Sequence, residues 1–141
     1  MLVSSTASAN DEIYEQMGRY FSDFNEGVAA NTMVERYFGD EVFALTSSGA
    51  HFYKTKDETA NWFGTVLAAI RKEGWQKTIL RNHSICMISD TAALYTLKFD
   101  RIFVDGREVP GSSVYTLQKD DKWRVVAVTV TSANLGMECP E

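Results

Sequence analysis

Arg81 and His83 are the two residues whose spacing best suits acid–base chemistry in this chain. Residues two apart on a strand project to one face, so a guanidinium and an imidazole would stand side by side. Arg81 could hold a carboxylate or enolate oxygen in a bidentate grip. His83, between Ile79 and Ile85, could exchange a proton near neutral pH. If that face is the outer face of a sheet, the same residues are surface groups or part of a subunit contact. Asp100 and Arg101 form a second suggestive pair. Adjacent strand residues point to opposite faces, so both cannot enter one pocket unless a bulge intervenes. Asp100 is either an assistant to His83 or a solvated or salt-bridged strand residue. The catalytic candidates are therefore His83 and Asp100, with Tyr20 as a possible helper. His51 lies beside a turn and reads as a surface histidine. Ser112 and Ser113 have no histidine at a readable spacing, so a serine nucleophile has little support.

The same inventory argues against other chemistries. Two histidines and two cysteines without ligand spacing give no metal site and no disulfide framework. Cys86 and Cys139 read as free thiols in a reducing compartment, which points to the cytoplasm. There is no phosphate-binding loop, no dinucleotide fingerprint and no H-x-x-x-H, so no cofactor is expected. A net charge of −5 with interspersed signs disfavours nucleic acid. The start of the chain lacks a secretory pattern, and no apolar run reaches the ~20 residues of a membrane span.

Several elements must position these groups. Ile13, Met17, Tyr20, Phe21, Phe24 and Val28 recur at three- and four-residue steps, the stripe of a long helix opened by Ser8 and Asp11. Thr32 and Glu35 predict a short second helix through Phe38, stopped at Gly39. Val42 to Thr46 and His51 to Lys54 read as a short hairpin. Thr55 and Glu58 cap a third helix carrying Phe63, Val66, Leu67 and Ile70, closed at Gly74. Strands are expected at Lys77 to Ile88, Ala92 to Phe103, Val114 to Gln118 and Trp123 to Thr131. Antiparallel strands gathered after helices indicate an α+β fold. The 141 residues favour one domain, placed at residues 11–132, with tails at 1–10 and 133–141. In the last strand Val125 and Ala127 should point one way and Val126, Val128 and Val130 the other. Two apolar faces imply a homodimer packed through the sheet face.

The order of elements and several local strings resemble the nuclear-transport-factor-2-like superfamily, also called SnoaL-like. The matching pieces are Tyr20-Phe21-x-x-Phe24-Asn25, Tyr37-Phe38, Asp90-Thr91-Ala92, Asp105-Gly106, Tyr115 to Lys119 and Trp123 to Val126. The resemblance implies a cone-shaped α+β fold in which a curved antiparallel sheet wraps the long N-terminal helix and leaves a hydrophobic pocket. Members include isomerases, dehydratases, epoxide hydrolases, polyketide cyclases and non-catalytic binding domains, so fold alone does not choose. Ketosteroid-isomerase-like members need carboxylates where this chain has Val42 to Thr46 and Gly111-Ser112-Ser113-Val114, which departs from that mechanism. Dehydratase-like members use a histidine.

Three readings follow. The first is a domain binding a small, largely apolar ligand in an internal cavity. Its candidate contacts are Tyr20, Phe24, Phe52, Trp62, Phe63, Arg81 and Tyr115. The second is a cofactor-independent lyase or isomerase using His83. The third is a dimeric association domain with a filled interior.

Overall fold

The computed structural model describes residues 8–131. The first helix, α1, spans Ala9–Glu26 and starts where local chemistry dictates. The Ser8 hydroxyl accepts the Asp11 N–H at 3.1 Å, and Asp11 and Glu12 oppose the positive end of the helix dipole. Gly27, at φ 80°, closes it in the left-handed conformation that glycine adopts freely. The helix thus starts two residues before the expected domain boundary at residue 11, and residues 1–7 and 133–141 of the expected tails lie outside the described residues.

The second helix, α2, spans Ala30–Tyr37 and does not use the Thr32–Glu35 box; both residues lie inside it. Asn31 Oδ1 takes the Thr32 N–H instead, at 3.0 Å. The helix passes directly into β1 (Phe38–Thr46), so Gly39 is a strand residue and not a stop. A Cβ at Gly39 would meet Val126 at 3.1 Å, so the close approach of β1 to its neighbour suits glycine. After β2 (Gly49–Tyr53), Thr55 caps α3 (Lys56–Lys72) by accepting the Glu58 N–H at 3.2 Å. The Glu58 carboxylate returns to the Lys54 N–H at 2.8 Å, one residue before the usual capping-box partner.

Four long strands follow: β3 (Trp75–Ser89), β4 (Ala92–Phe103), β5 (Glu108–Lys119) and β6 (Trp123–Thr131). They join the hairpin in one six-stranded sheet of order β2-β1-β6-β5-β4-β3. The sheet is not wholly antiparallel, because β1 runs parallel to β6. β5 begins six residues before the expected Val114. Pro110 and Gly111 read locally as loop, yet they pair with Asp100 and Phe99 of β4. Among the described residues, the register of β5 with β6 runs from Lys119 to Ser112.

The sheet wraps α1. Near its N-terminal end, Glu12 takes the Lys119 ammonium at 3.1 Å and the Trp123 indole N–H at 3.3 Å, and Gln16 donates to the Trp123 carbonyl at 3.3 Å. Near its C-terminal end, Asn25 clamps the backbone of Thr78 on β3 through bonds of 2.9 and 2.8 Å. The core between them holds Ile13, Met17, Tyr20, Phe38, Tyr95, Leu117 and Val125.

Two expectations about the sheet are corrected. Leu117 pairs with Val125 and Thr116 with Ala127, so Val126 is an extra residue in β6. This bulge reverses the alternation, and Val125 and Val128 are both core residues. The strand therefore lacks the two alternating apolar faces from which a sheet-face dimer was expected. Cys86 is disulfide-bonded and is not a free thiol; which cysteines meet is set by the fold and not by their spacing in sequence. Cys139 lies outside the described residues. Among the described residues, no helix is long and apolar enough to cross a membrane.

Phe24 packs edge-on against Trp75 at 5.1 Å and against Phe63 at 6.1 Å. Phe24→Ala is expected to cost about 3–5 kcal/mol in denaturant melts. A loss below ~1 kcal/mol would mean that the stripe does not anchor the sheet.

Candidate functional site

Narrow and wide ends differ in how the sheet and α1 meet. At the narrow end, beside the first half of α1, large side chains such as Tyr95 and Leu117 fill the interior. At the wide end a cavity of about 560 Å³ remains between α1, α3 and the sheet. That volume lies within the usual range for small-molecule sites, roughly 300–1,000 Å³.

Aromatic side chains are the largest group in the wall. α1 supplies Tyr20, Phe21 and Phe24, α3 supplies Trp62 and Phe63, and the strands supply Phe38, Phe99 and Tyr115. The rings brace one another: Tyr20 lies 5.8 Å from Tyr115 and 6.4 Å from Phe63, and Phe38 lies 5.6 Å from Phe63. Such edge-to-face clusters hold a wall in shape without filling the space it encloses. Leu45 and Val109 also line the cavity while being 44% and 39% exposed, so they mark its mouth together with Ser47 and Pro110. Gly111 is required by its cross-strand partner. A Cβ there would stand 2.7 Å from the Phe99 ring, which lies across the glycine.

A few polar groups converge on this apolar space. Arg101, Thr78, Ser113, Tyr20 and Tyr115 all line it. Burial pushes the Tyr20 hydroxyl well above its usual pKa, and the Tyr115 hydroxyl adds to the effect. Burial also raises Tyr115, while the Tyr20 and Ser113 hydroxyls and the Arg101 charge hold it back. Burial lowers Arg101, against the opposing influence of Tyr115 and Glu73; a guanidinium nevertheless stays protonated in a protein. The Arg101 guanidinium lies 5.2 Å from the centre of the Phe99 ring. Thr78 accepts the Trp75 indole N–H at 3.1 Å, which leaves its own proton available to donate. Arg101 is the one charged side chain among the described lining residues, which include no carboxylate and no imidazole. Nor do the described residues hold a group of three or more His, Cys, Asp or Glu able to hold a metal ion.

Five of the candidate contacts line the cavity: Tyr20, Phe24, Trp62, Phe63 and Tyr115. Phe52 does not. It pairs with Phe43 in the hairpin and is 52% exposed, while its neighbour Tyr53 turns toward α3 and stacks on Trp62 at 5.4 Å. Arg81, His83 and Asp100 also lie outside the cavity. Leu80 pairs with Phe99 and Asn82 with Lys98, so Arg81 is an extra residue in β3. That bulge breaks the parity on which a shared face for Arg81 and His83 was expected. Arg81 meets Asp100 at 2.7 Å in an ion pair. His83 faces the helix side at the narrow end, with Nδ1 2.7 Å from the Tyr95 hydroxyl and its ring 4.5 Å from that of Tyr14.

Arg101 was not among the candidates, although the alternation of Tyr95, Leu97, Phe99 and Phe103 on β4 already placed it on the inner face. Thr78 and Ser113 carried no such signal. His83→Ala is expected to leave binding in the cavity unchanged within about twofold. It should lower stability by about 1–2 kcal/mol, because Tyr95 loses its hydrogen-bond partner. A tenfold loss of cavity binding in titration would contradict this placement.

Comparison with known proteins agrees with the architecture. The family model described as NTF2-like protein (DUF6841) matches residues 11–133. No curated protein matches the chain. Among solved structures, an NTF2-like protein of unknown function from Pseudomonas putida KT2440 superposes with a TM-score of 0.71 at 14% identity, covering 96% of this chain and 93% of that one. A domain of unknown function with a cystatin-like fold from Nostoc punctiforme PCC 73102 gives 0.70 at 15% identity, covering 92% and 81%. The yeast UBP3-associated protein BRE5 gives 0.71 at 8% identity, covering 89% and 96%. At these identities the structures show a shared fold and no more. The cone-shaped sheet around α1 and the span of the family match agree: the chain belongs to the NTF2-like family DUF6841.

Proposed function

We propose that this protein is a binding domain for a small, largely apolar ligand held in the cavity at the wide end of the sheet. The observation that carries the reading is the braced aromatic wall around about 560 Å³, with a few hydroxyls and one guanidinium directed into it. Open apolar volume forfeits dispersion contacts and costs stability, so a cavity of this size fits a binding role better than a purely structural one.

The rival reading, a lyase or isomerase with His83 as proton carrier, has less support. The described cavity wall offers no group that accepts a proton near neutral pH. Its tyrosines are raised by burial, and its arginine does not deprotonate. A dimeric association domain would be expected to have a filled interior. A second copy on the sheet remains compatible with ligand binding; the exposed cross-strand pair of Phe43 and Phe52 is an apolar surface for such a contact.

The test uses a neutral aromatic probe, 1-aminoanthracene, followed by its fluorescence. Wild-type protein should bind it with one-to-one stoichiometry in the micromolar range. Val66→Trp, which places an indole in the cavity from α3, should weaken binding by at least about tenfold with a cooperative melt retained. Absence of saturable binding, or equal affinity in the variant, would overturn the reading.

A further inference from the structure

We propose that the ligand is a monocarboxylic acid, its carboxylate seated on Arg101 and its apolar body lying along the aromatic wall. This rests on the reading of the cavity as a ligand site and names the chemistry of its occupant.

The first ground is the partnering of the arginines. Arg19 pairs with Glu15, Arg36 with Asp23, Arg81 with Asp100, Arg107 with Asp105 and Arg124 with Asp120. Arg71 is exposed and hydrated. Arg101 is half-buried and faces the cavity, yet among the described residues no carboxylate stands within 4.0 Å of it. Glu73 influences it only through its charge. A partly desolvated cation without a counterion is costly, and strand parity gives Arg101 no outward alternative. An anion entering the cavity relieves that cost.

The second ground is orientation. Arg101 pairs across the sheet with Thr78 on β3 and Val109 on β5, which holds its stem in register at the wide end. Its guanidinium lies over the Phe99 ring, and among the described residues no hydrogen bond takes up its N–H groups. Those groups have the fork geometry that meets both oxygens of a carboxylate. Ser113 and Tyr115 stand close by; the Arg101 charge acts directly on the Tyr115 hydroxyl, which interacts with Ser113. The polar end of the cavity is thus rich in donors, and the described residues bring no anion to it.

The third ground is charge balance. One cation compensates one negative charge, so a phosphate dianion would bring a second charge into an apolar space with nothing to meet it. The remaining wall asks for a hydrocarbon or aromatic body.

Calorimetric titration with 2-naphthoate and its neutral isostere 2-naphthamide tests this. Wild-type protein should bind naphthoate at least about tenfold more tightly than the amide, the span of a charge-assisted bond. Arg101→Met should abolish that preference. Without ligand, Arg101→Met should melt no lower than wild type, since it replaces an unpaired cation by an apolar chain of similar length. If the amide binds wild type as well as naphthoate does, the carboxylate assignment falls and the cavity reading stands. If neither ligand binds, both fall. A preference that survives in Arg101→Met, or a variant that melts well below wild type, would also overturn the role given to Arg101.

Discussion

One long helix cannot cover a six-stranded sheet. Six strands about 4.8 Å apart span roughly 24 Å, whereas a helix with its side chains is about 10–12 Å across. The sheet answers by curling, so that both β3 and β6 approach α1 although β5 and β4 lie between them. Those two middle strands bring no Cα within 8 Å of α1. The gap is bridged by large side chains at the narrow end, where Glu12 and Gln16 tie α1 to β6. At the wide end the side chains do not fill the interior. α3 closes part of that space from the β1 side, and the remainder is the cavity.

The same geometry decides the chemistry of the space. Alternation along β4 sends Tyr95, Leu97, Phe99, Arg101 and Phe103 inward, so a guanidinium is carried into an aromatic chamber by strand parity. Asp100, next in sequence, is carried outward to Arg81 by the same rule. The result is an interior with a positive end and apolar walls, while the neighbouring carboxylate is spent on the other face. The reach of His83 is fixed in a comparable way. It lies on the helix side of the sheet but is exposed, with Tyr14 and Tyr95 against its ring at the narrow end, away from the cavity.

Local patterns in the sequence translated directly into structure. Ser8 and Thr55 cap α1 and α3, and the stripe from Ile13 to Phe24 is buried, because capping and helical periodicity depend on residues close in the chain. The superfamily resemblance rested on the order of turns and strands, which survives small boundary errors. What was not legible depends on partners distant in sequence. Pro110 and Gly111 resemble a loop until Phe99 and the end of β6 are in place. Bulges at Arg81 and Val126 are set by pairing across the sheet, and each reversed a face assignment made by counting. Five aromatic contacts were recognisable as core-type residues, and only the fold separates those around the cavity from those within the packed interior. The inward placement of Arg101 was legible in the parity of β4, which puts it on the face of Phe99 and Phe103.

The account stands on the wide end of the cone being open, apolar space. A crystal structure determined under xenon pressure tests that directly, because xenon enters apolar cavities without needing a hydrogen-bond partner. Xenon density is expected among Tyr20, Phe63 and Tyr115, beneath the ring of Phe99. Side chains packed into that space, with no xenon between α1 and the sheet, would contradict the account.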